Sequence, residues 1–141
     1  MHFNRYYGSN VKRHVKSEIG NNCVVGADTK IGENTRIFNS VIGAGCVIGN
    51  GVQIKDCIVW DNVHINDNSQ LDNSLIADSC VIGANTIIKK GCIIDKNVII
   101  KDNVTLDERT VASCLVATSN SKIAITFVPS TTSQSDLFDQ G

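Results

Sequence analysis

The chain is poor in the residues that build helices and membrane spans. Leucine occurs 5 times in 141 residues, against 18 Ile and 15 Val. A helical bundle favours Leu, Ala and Glu, so this composition excludes that class and points to strands. Aromatic residues make up 5%, and Trp, Met and Pro occur once each. Charge of neither sign prevails, with 13 Lys+Arg against 14 Asp+Glu, which gives no support to nucleic acid or an anionic membrane as a partner. No apolar run approaches the roughly 20 residues that a membrane span needs, and residues 1–7 contain no signal-peptide core. The expectation is a soluble cytosolic protein. Cysteine, at 6 residues, is too sparse for a secreted disulfide scaffold, and a chain of this length buries a core without such staples.

What the chain does have is 15 Asn and 11 Gly alongside the β-branched residues, arranged in a repeat. Short units open with an aliphatic residue at Ile19, Val25, Ile31, Ile37, Ile42, Ile48, Ile54, Val59, Ile65, Leu71, Ile76, Ile82, Ile88, Ile94, Ile100 and Leu106. The step is six residues except at 37 to 42, 54 to 59 and 71 to 76, where it is five. The short step returns at every third unit, so three units make one turn and the short one always occupies the same corner. A second column holds Asn22, Asp28, Asn34, Asn39, Gly45, Gly51, Asp56, Asn62, Asn68, Asn73, Ser79, Asn85, Gly91, Asn97, Asn103 and Arg109. Asn, Asp and Gly tolerate the left-handed backbone region, so this column predicts a sharp bend in every unit. The residue after each bend is Cys, Thr, Ser or Val, small enough to point into a narrow interior.

Stacked turns align these openings into three interior columns, and a single turn cannot bury its own face. The fold class expected is all-β: a triangular parallel solenoid of about five turns over residues 19–111. Residues 1–18 keep the period poorly and read as an N-terminal flank. Residues 112–128 read as a C-terminal cap, with a strand over 122–128 covering the open end, because an uncapped solenoid invites edge pairing. Residues 129–141 are rich in Ser, Thr, Gln and Asp, and are expected to be disordered.

Few side chains carry chemistry. Cys23, Cys46, Cys57, Cys80 and Cys92 fall at the small interior position and read as apolar filler. Those that share a column lie two turns apart, roughly 9.6 Å, too far for a disulfide or a tetrahedral zinc site. Cys114 lies outside the repeat. His64, the one His within it, points outward from a strand with no inserted loop beside it, unlike a general base in a cleft. His2 and His14 lie in poorly patterned sequence. The Asp residues at 56, 61, 67, 72, 78, 95, 102 and 107 stand at or near bends, where Asp serves the backbone. No phosphate loop, dinucleotide fingerprint or nucleophile elbow is present. No catalytic residue, metal site or cofactor is therefore expected.

The outward positions say more. One face (Arg36, Phe38, Gln53, Lys55, Gln70, Asp72) is mostly polar and a third (Lys30, Val47, His64, Asn66) is mixed. The second presents Val24, Gly26, Val41, Gly43, Ile58, Trp60, Leu75, Ala77, Ile93 and Asp95, almost uninterrupted apolar surface in which Val24, Val41, Ile58, Trp60, Leu75, Ala77 and Ile93 are the candidate contacts. Contiguous apolar area of this kind marks a partner site, and Trp is a favoured anchor.

The hexapeptide pattern resembles the left-handed parallel β-helix family, and the left hand rests on that resemblance. The five-residue units at 37, 54 and 71 resemble the β-helices attached to sugar-nucleotide pyrophosphorylases and their relatives. Within that group, residues 39–50, Ile-Val-Trp-Asp at 58–61, Asp-Asn-Ser-Leu-Ile-Ala at 72–77 and Gly-Cys-Ile-Ile at 91–94 resemble the family of epsilon subunits of translation initiation factor two-B, a guanine-nucleotide exchange factor. The resemblance covers roughly residues 15–111. It implies a non-catalytic assembly domain that pairs with the related β-helix of a gamma-type subunit and with other exchange-factor subunits, and helps position initiation factor two. In that family a pyrophosphorylase-like domain precedes the β-helix and a catalytic helical domain follows it. Neither is found here, so the chain is expected to be an excised middle domain. Two alternatives stay open: a hexapeptide-repeat acyltransferase, or the β-helix of a sugar-nucleotide pyrophosphorylase. Without a partner, the second face is expected to drive self-association at high concentration.

Overall fold

The computed structural model describes residues 4–114 and 125–129. These residues form an all-β parallel solenoid with three sheets, one of eight strands and two of six. The architecture is the left-handed β-helix that the hexapeptide pattern implies. Most strands are two or three residues long and pair in parallel with the strand one turn away. Val24 lies against Val41, Val41 against Ile58, Ile58 against Leu75 and Leu75 against Ile93, each pair one turn apart. The last of these turns is the longer by one residue, because it contains no five-residue unit.

Corners form where the sequence demands them. Every one of the sixteen bend positions has a positive φ, from Asn22 at 59° to Arg109 at 59°, with Gly45, Gly51 and Gly91 among them. Asn10, at 59°, adds a bend ahead of the repeat. A side chain in this region is strained unless it is Gly, Asn or Asp, which explains the composition of the column. The three five-residue units all make the same corner, between the first and second sheets. Each follows a three-residue strand: Arg36–Phe38, Gln53–Lys55 or Gln70–Asp72. The three short corners stack on one another in consecutive turns, with the corners of six-residue units at 20–22 and 89–91 on either side.

The interior is the three aliphatic columns. Ile37, Ile54 and Leu71 in the first, Ile42, Val59 and Ile76 in the second, and Ile48, Ile65 and Ile82 in the third are all buried. The small column also acts as a hydrogen-bond column. Thr29 Oγ1 donates to the Gly43 carbonyl at 2.8 Å, Thr35 Oγ1 to Gly49 at 2.6 Å and Ser69 Oγ to Gly83 at 2.7 Å, each in the next turn. Cys46 Sγ donates to the Trp60 carbonyl at 3.0 Å and Cys80 Sγ to Asp95 at 2.9 Å in the same way. Cys, Ser and Thr at this position are compact and each carries one donor, whereas Val52, Val63 and Val98 fill the same column by volume alone.

The solenoid has about six turns instead of five. The extra turn comes from strands Arg5–Tyr7, Lys12–Arg13 and Glu18–Ile19, which pair with the turn that follows. Tyr7 and Arg13 stand at the head of the second and third interior columns, opposite Val25 and Ile31. The guanidinium of Arg13 lies 5.7 Å from the centre of the Tyr7 ring. An end turn has solvent on one side of its core, so an aromatic ring and a cation can occupy positions that are aliphatic elsewhere. At the other end, strand Thr110–Cys114 pairs with Ile93–Ile94 in parallel and with strand Ile125–Pro129 antiparallel, extending the second sheet. The expected disorder of residues 129–141 falls, beyond Pro129, outside the described residues.

Candidate protein-interaction face

The second sheet presents a ladder of apolar side chains to solvent. Strand register places Val24, Val41, Ile58, Leu75 and Ile93 directly above one another. Tyr6, opposite Val24, and Val111, opposite Ile93, extend the ladder at its two ends. Seven rungs one strand apart span about 29 Å, taking about 4.8 Å per step. Ile58 is 48% exposed, Ile93 49% and Tyr6 68%. Leu75 is half-buried.

A second column runs beside the ladder. Gly8, Gly26, Gly43, Trp60, Ala77 and Asp95 each donate their backbone N–H to the equivalent carbonyl one turn on. A Cβ at Gly43 would come within 2.6 Å of the Trp60 carbonyl carbon, so the close approach of the next turn requires glycine there. Three glycines followed by Trp60, which is 50% exposed, leave the indole standing at the head of a strip without side chains. Ala77 is half-buried beyond it.

Seven of the eleven exposed large hydrophobic residues among those described lie on this face: Tyr6, Val24, Val41, Ile58, Trp60, Ile93 and Val111. The first face contributes Ile87 and the third Val47. The structure therefore brings all seven sequence-selected residues together on one surface, in two adjacent columns. Tyr6 and Val111 are additions. A sequence signal for them exists, since each lies one full turn beyond a ladder member, but it falls at the margins of the regular period.

The remaining chemistry-bearing residues stand apart from one another. His64 is exposed on the third face between Val47 and Val81. No carboxylate or carbonyl orients its ring among the described residues. The side chain of His14 accepts the Lys16 N–H at 3.0 Å through Nδ1 and lies 3.5 Å from Glu33 through Nε2. Cys23, Cys46, Cys57, Cys80 and Cys92 are free and buried. Burial pushes the Cys57 and Cys80 thiols up to about 11, and those of Cys46 and Cys92 upward as well. These thiols stay protonated and serve as donors. Corner carboxylates hold the backbone of the preceding turn: Asp61 Oδ1 accepts Ala44 N–H at 2.9 Å, Asp67 accepts Asn50 at 2.9 Å and Asp102 accepts Ala84 at 2.8 Å. Among the described residues, no three His, Cys, Asp or Glu side chains cluster as a metal site would need, and no helix is long and apolar enough to cross a membrane.

Comparison with known proteins bears on this arrangement. Residues 2–106 match the family of the EIF2B subunit epsilon LbH domain, the left-handed β-helix of that subunit. No curated protein matches the chain. Among solved structures, an AntD N-acyltransferase from Bacillus cereus is 13% identical, with a TM-score of 0.67 over 98% of this chain and 89% of that one. A perosamine N-acetyltransferase from Caulobacter crescentus is 13% identical, with a TM-score of 0.54 over 78% of this chain and 53% of that one. This chain thus spans about half the length of the Caulobacter enzyme. A hexapeptide transferase family protein from Anaplasma phagocytophilum is 21% identical, with a TM-score of 0.50 over 72% of each chain. At these identities the likeness is one of fold.

Proposed function

The chain belongs to the family of EIF2B epsilon-subunit β-helix domains, and from that membership we propose that it is an assembly domain of the exchange factor and not itself a catalyst. In this reading it pairs with a related gamma-type β-helix in the cytosol. It thereby helps to position initiation factor two for exchange of GDP for GTP by a catalytic domain elsewhere in the complex. The observation that carries the reading is the apolar ladder with Trp60 beside its middle rung. An exposed apolar stripe of this length needs a cover, and a buried Trp commonly dominates the energy of such a contact.

The test is a pair of substitutions at the centre of the stripe. Trp60→Glu with Ile58→Lys places two charges where the partner would exclude water. Loss of a Trp anchor costs at least about 2 kcal/mol, or about thirtyfold in affinity, before the charges are counted. Capture of the gamma-type subunit should be abolished while the β circular dichroism is unchanged. Undiminished capture would overturn the proposal. Acetyl-coenzyme A turnover that disappears in His64→Ala would instead assign the chain to the acyltransferases whose fold it shares.

A further inference from the structure

The second face is built as a ridge beside a groove. The ladder from Val24 to Ile93 stands nearer the corners that lead into the sheet, at residues 20–22, 38–40, 55–57, 72–74 and 89–91. The column of Gly26, Gly43 and Trp60 stands nearer the corners that lead out of it, at 26–28, 43–45, 60–62, 77–79 and 95–97. From the turn of Ile58 onward the two borders also differ in charge. The outgoing corners carry Asp61, Asp78 and Asp95, with Lys96 beside the last. The incoming ones carry Lys55, Lys89 and Lys90, with Asp56 and Asp72. Lys55 has no ion-pair partner among the described residues, whereas Asp56 is turned to Asn39, whose Nδ2 donates to its Oδ1 at 2.7 Å. Ridge and groove, and the more cationic and more anionic borders, therefore lie on opposite sides of the midline of the face.

We propose that, when no other subunit covers it, the second face closes on a second copy of this chain, the two solenoids lying face to face with parallel axes about a two-fold parallel to them. This rests on the reading of the face as a docking surface and adds an occupant and a geometry. Such a two-fold brings the left side of one face against the right side of the other at the same height. Val24 and Val41 of each copy then enter the strip left bare by Gly26 and Gly43 of the other, and Ile58 of each meets Trp60 of the other. On the borders Asp61 meets Lys55, and Asp95 meets Lys89 and Lys90, each contact made twice. Against these stand Asp78 facing the corner of Asp72, and Lys96 beside Asp95. Antiparallel axes would set ladder on ladder and bare strip on bare strip, and the border of Asp61, Asp78 and Asp95 against itself. Shape and charge thus select the same packing, and complementary borders fix register. The face is about 29 Å long and, at about 3.3 Å per residue, about 13 Å wide, a plan area of about 400 Å² per copy before the relief of the side chains is counted. A total of about 1,000 Å² lies below that of permanent dimers and suits a weak, reversible one. The contact is isologous, so it closes at two copies.

The experiment is sedimentation equilibrium of the full chain at low salt, from about 10 to about 300 μM. The wild type should show a monomer and a dimer in reversible exchange, with a dissociation constant of about 10 to 100 μM, and nothing larger. Trp60→Glu should be monomeric throughout. Lys55→Glu, which leaves the hydrogen bond from Ala44 N–H to Asp61 intact, sets two carboxylates against each other at two places and should weaken the dimer about tenfold. Asp61→Lys alone should weaken it by a similar factor, and Lys55→Glu with Asp61→Lys should restore it. That rescue separates the contact from a loss of folding, which a second substitution would not repair, and it is expected only where the two residues face each other across the two-fold. The inference is overturned if the wild type is monomeric at about 300 μM, if it grows beyond a dimer, if Lys55→Glu leaves the dimer unchanged, or if the double variant stays weak. Capture of the gamma-type subunit keeps the two readings apart. A monomeric wild type whose capture is lost in Trp60→Glu retains the docking reading and loses only the self-pairing. A wild-type dimer lost in Trp60→Glu while capture persists retains the self-pairing and removes the docking reading.

Discussion

Raising the pH should weaken this fold through thiols that never react. Cys57 and Cys80 are each about 1% exposed or less, and burial, aided by nearby carboxylates, lifts both from an ordinary 9.0 to about 11. In the unfolded chain the same thiols ionise near their ordinary value. Between those two values the folded state holds more protons, so the stabilisation is whole below about pH 9, falls as pH rises and is fully lost above about 11. At about pH 10 the proton-binding terms of the two states differ about tenfold, or about 1.4 kcal/mol per thiol and about 2.7 kcal/mol for the pair. Urea unfolding between about pH 8 and pH 10, in reducing buffer, reads this loss directly. The control is Cys57→Ser with Cys80→Thr. Ser40 and Ser74 occupy the column of Cys57 one turn to either side, and Thr29 occupies that of Cys80, so both replacements keep a donor the site accepts. The variant should lose markedly less stability over that range than the wild type. Equal losses in the two proteins would refute the argument that the buried thiols are the coupled protons.

Two further substitutions test the corners and the core. Ser79 and Arg109 hold φ of 61° and 59° without the tolerance of Asn or Gly; Ser79→Asn and Arg109→Gly should each stabilise by about 0.5 to 1 kcal/mol in urea unfolding. Ile65→Ala empties the middle of the third column, where the side chain is 1% exposed, and should cost about 2 to 5 kcal/mol in the same measurement.

The period of the sequence made most of this legible, because a solenoid repeats the same physical demand at every turn. A positive φ is required at each corner, so Asn, Asp and Gly reveal fourteen of the sixteen repeat corners, and Ser79 and Arg109 are found by their place in the count. The outward columns were readable for the same reason, since residues flanking a buried opening alternate away from it. The margins were harder. Tyr7 and Arg13 occupy interior-column positions in the first turn, but a column open to solvent at its end has no need of an aliphatic residue, and the signal of the period fades where that need does. Tyr6 and Val111 were missed with it. The hydrogen-bonding role of the Cys column was hidden for a different reason: the sequence shows that Cys, Ser, Thr and Val share a place, while only the carbonyl of the next turn shows what the three with a donor do there.

Because each turn of the solenoid touches only the turns beside it, opening events should start at the two ends and travel inward one layer at a time. Ile58 is the fourth of seven rungs, and Trp60 follows it on the same strand ladder. Three layers on either side must come apart before the backbone beneath the indole is released. Amide protons of Ile58 and Trp60 should therefore exchange among the slowest in the molecule, and the anchor meets its partner from the stretch of backbone that moves least.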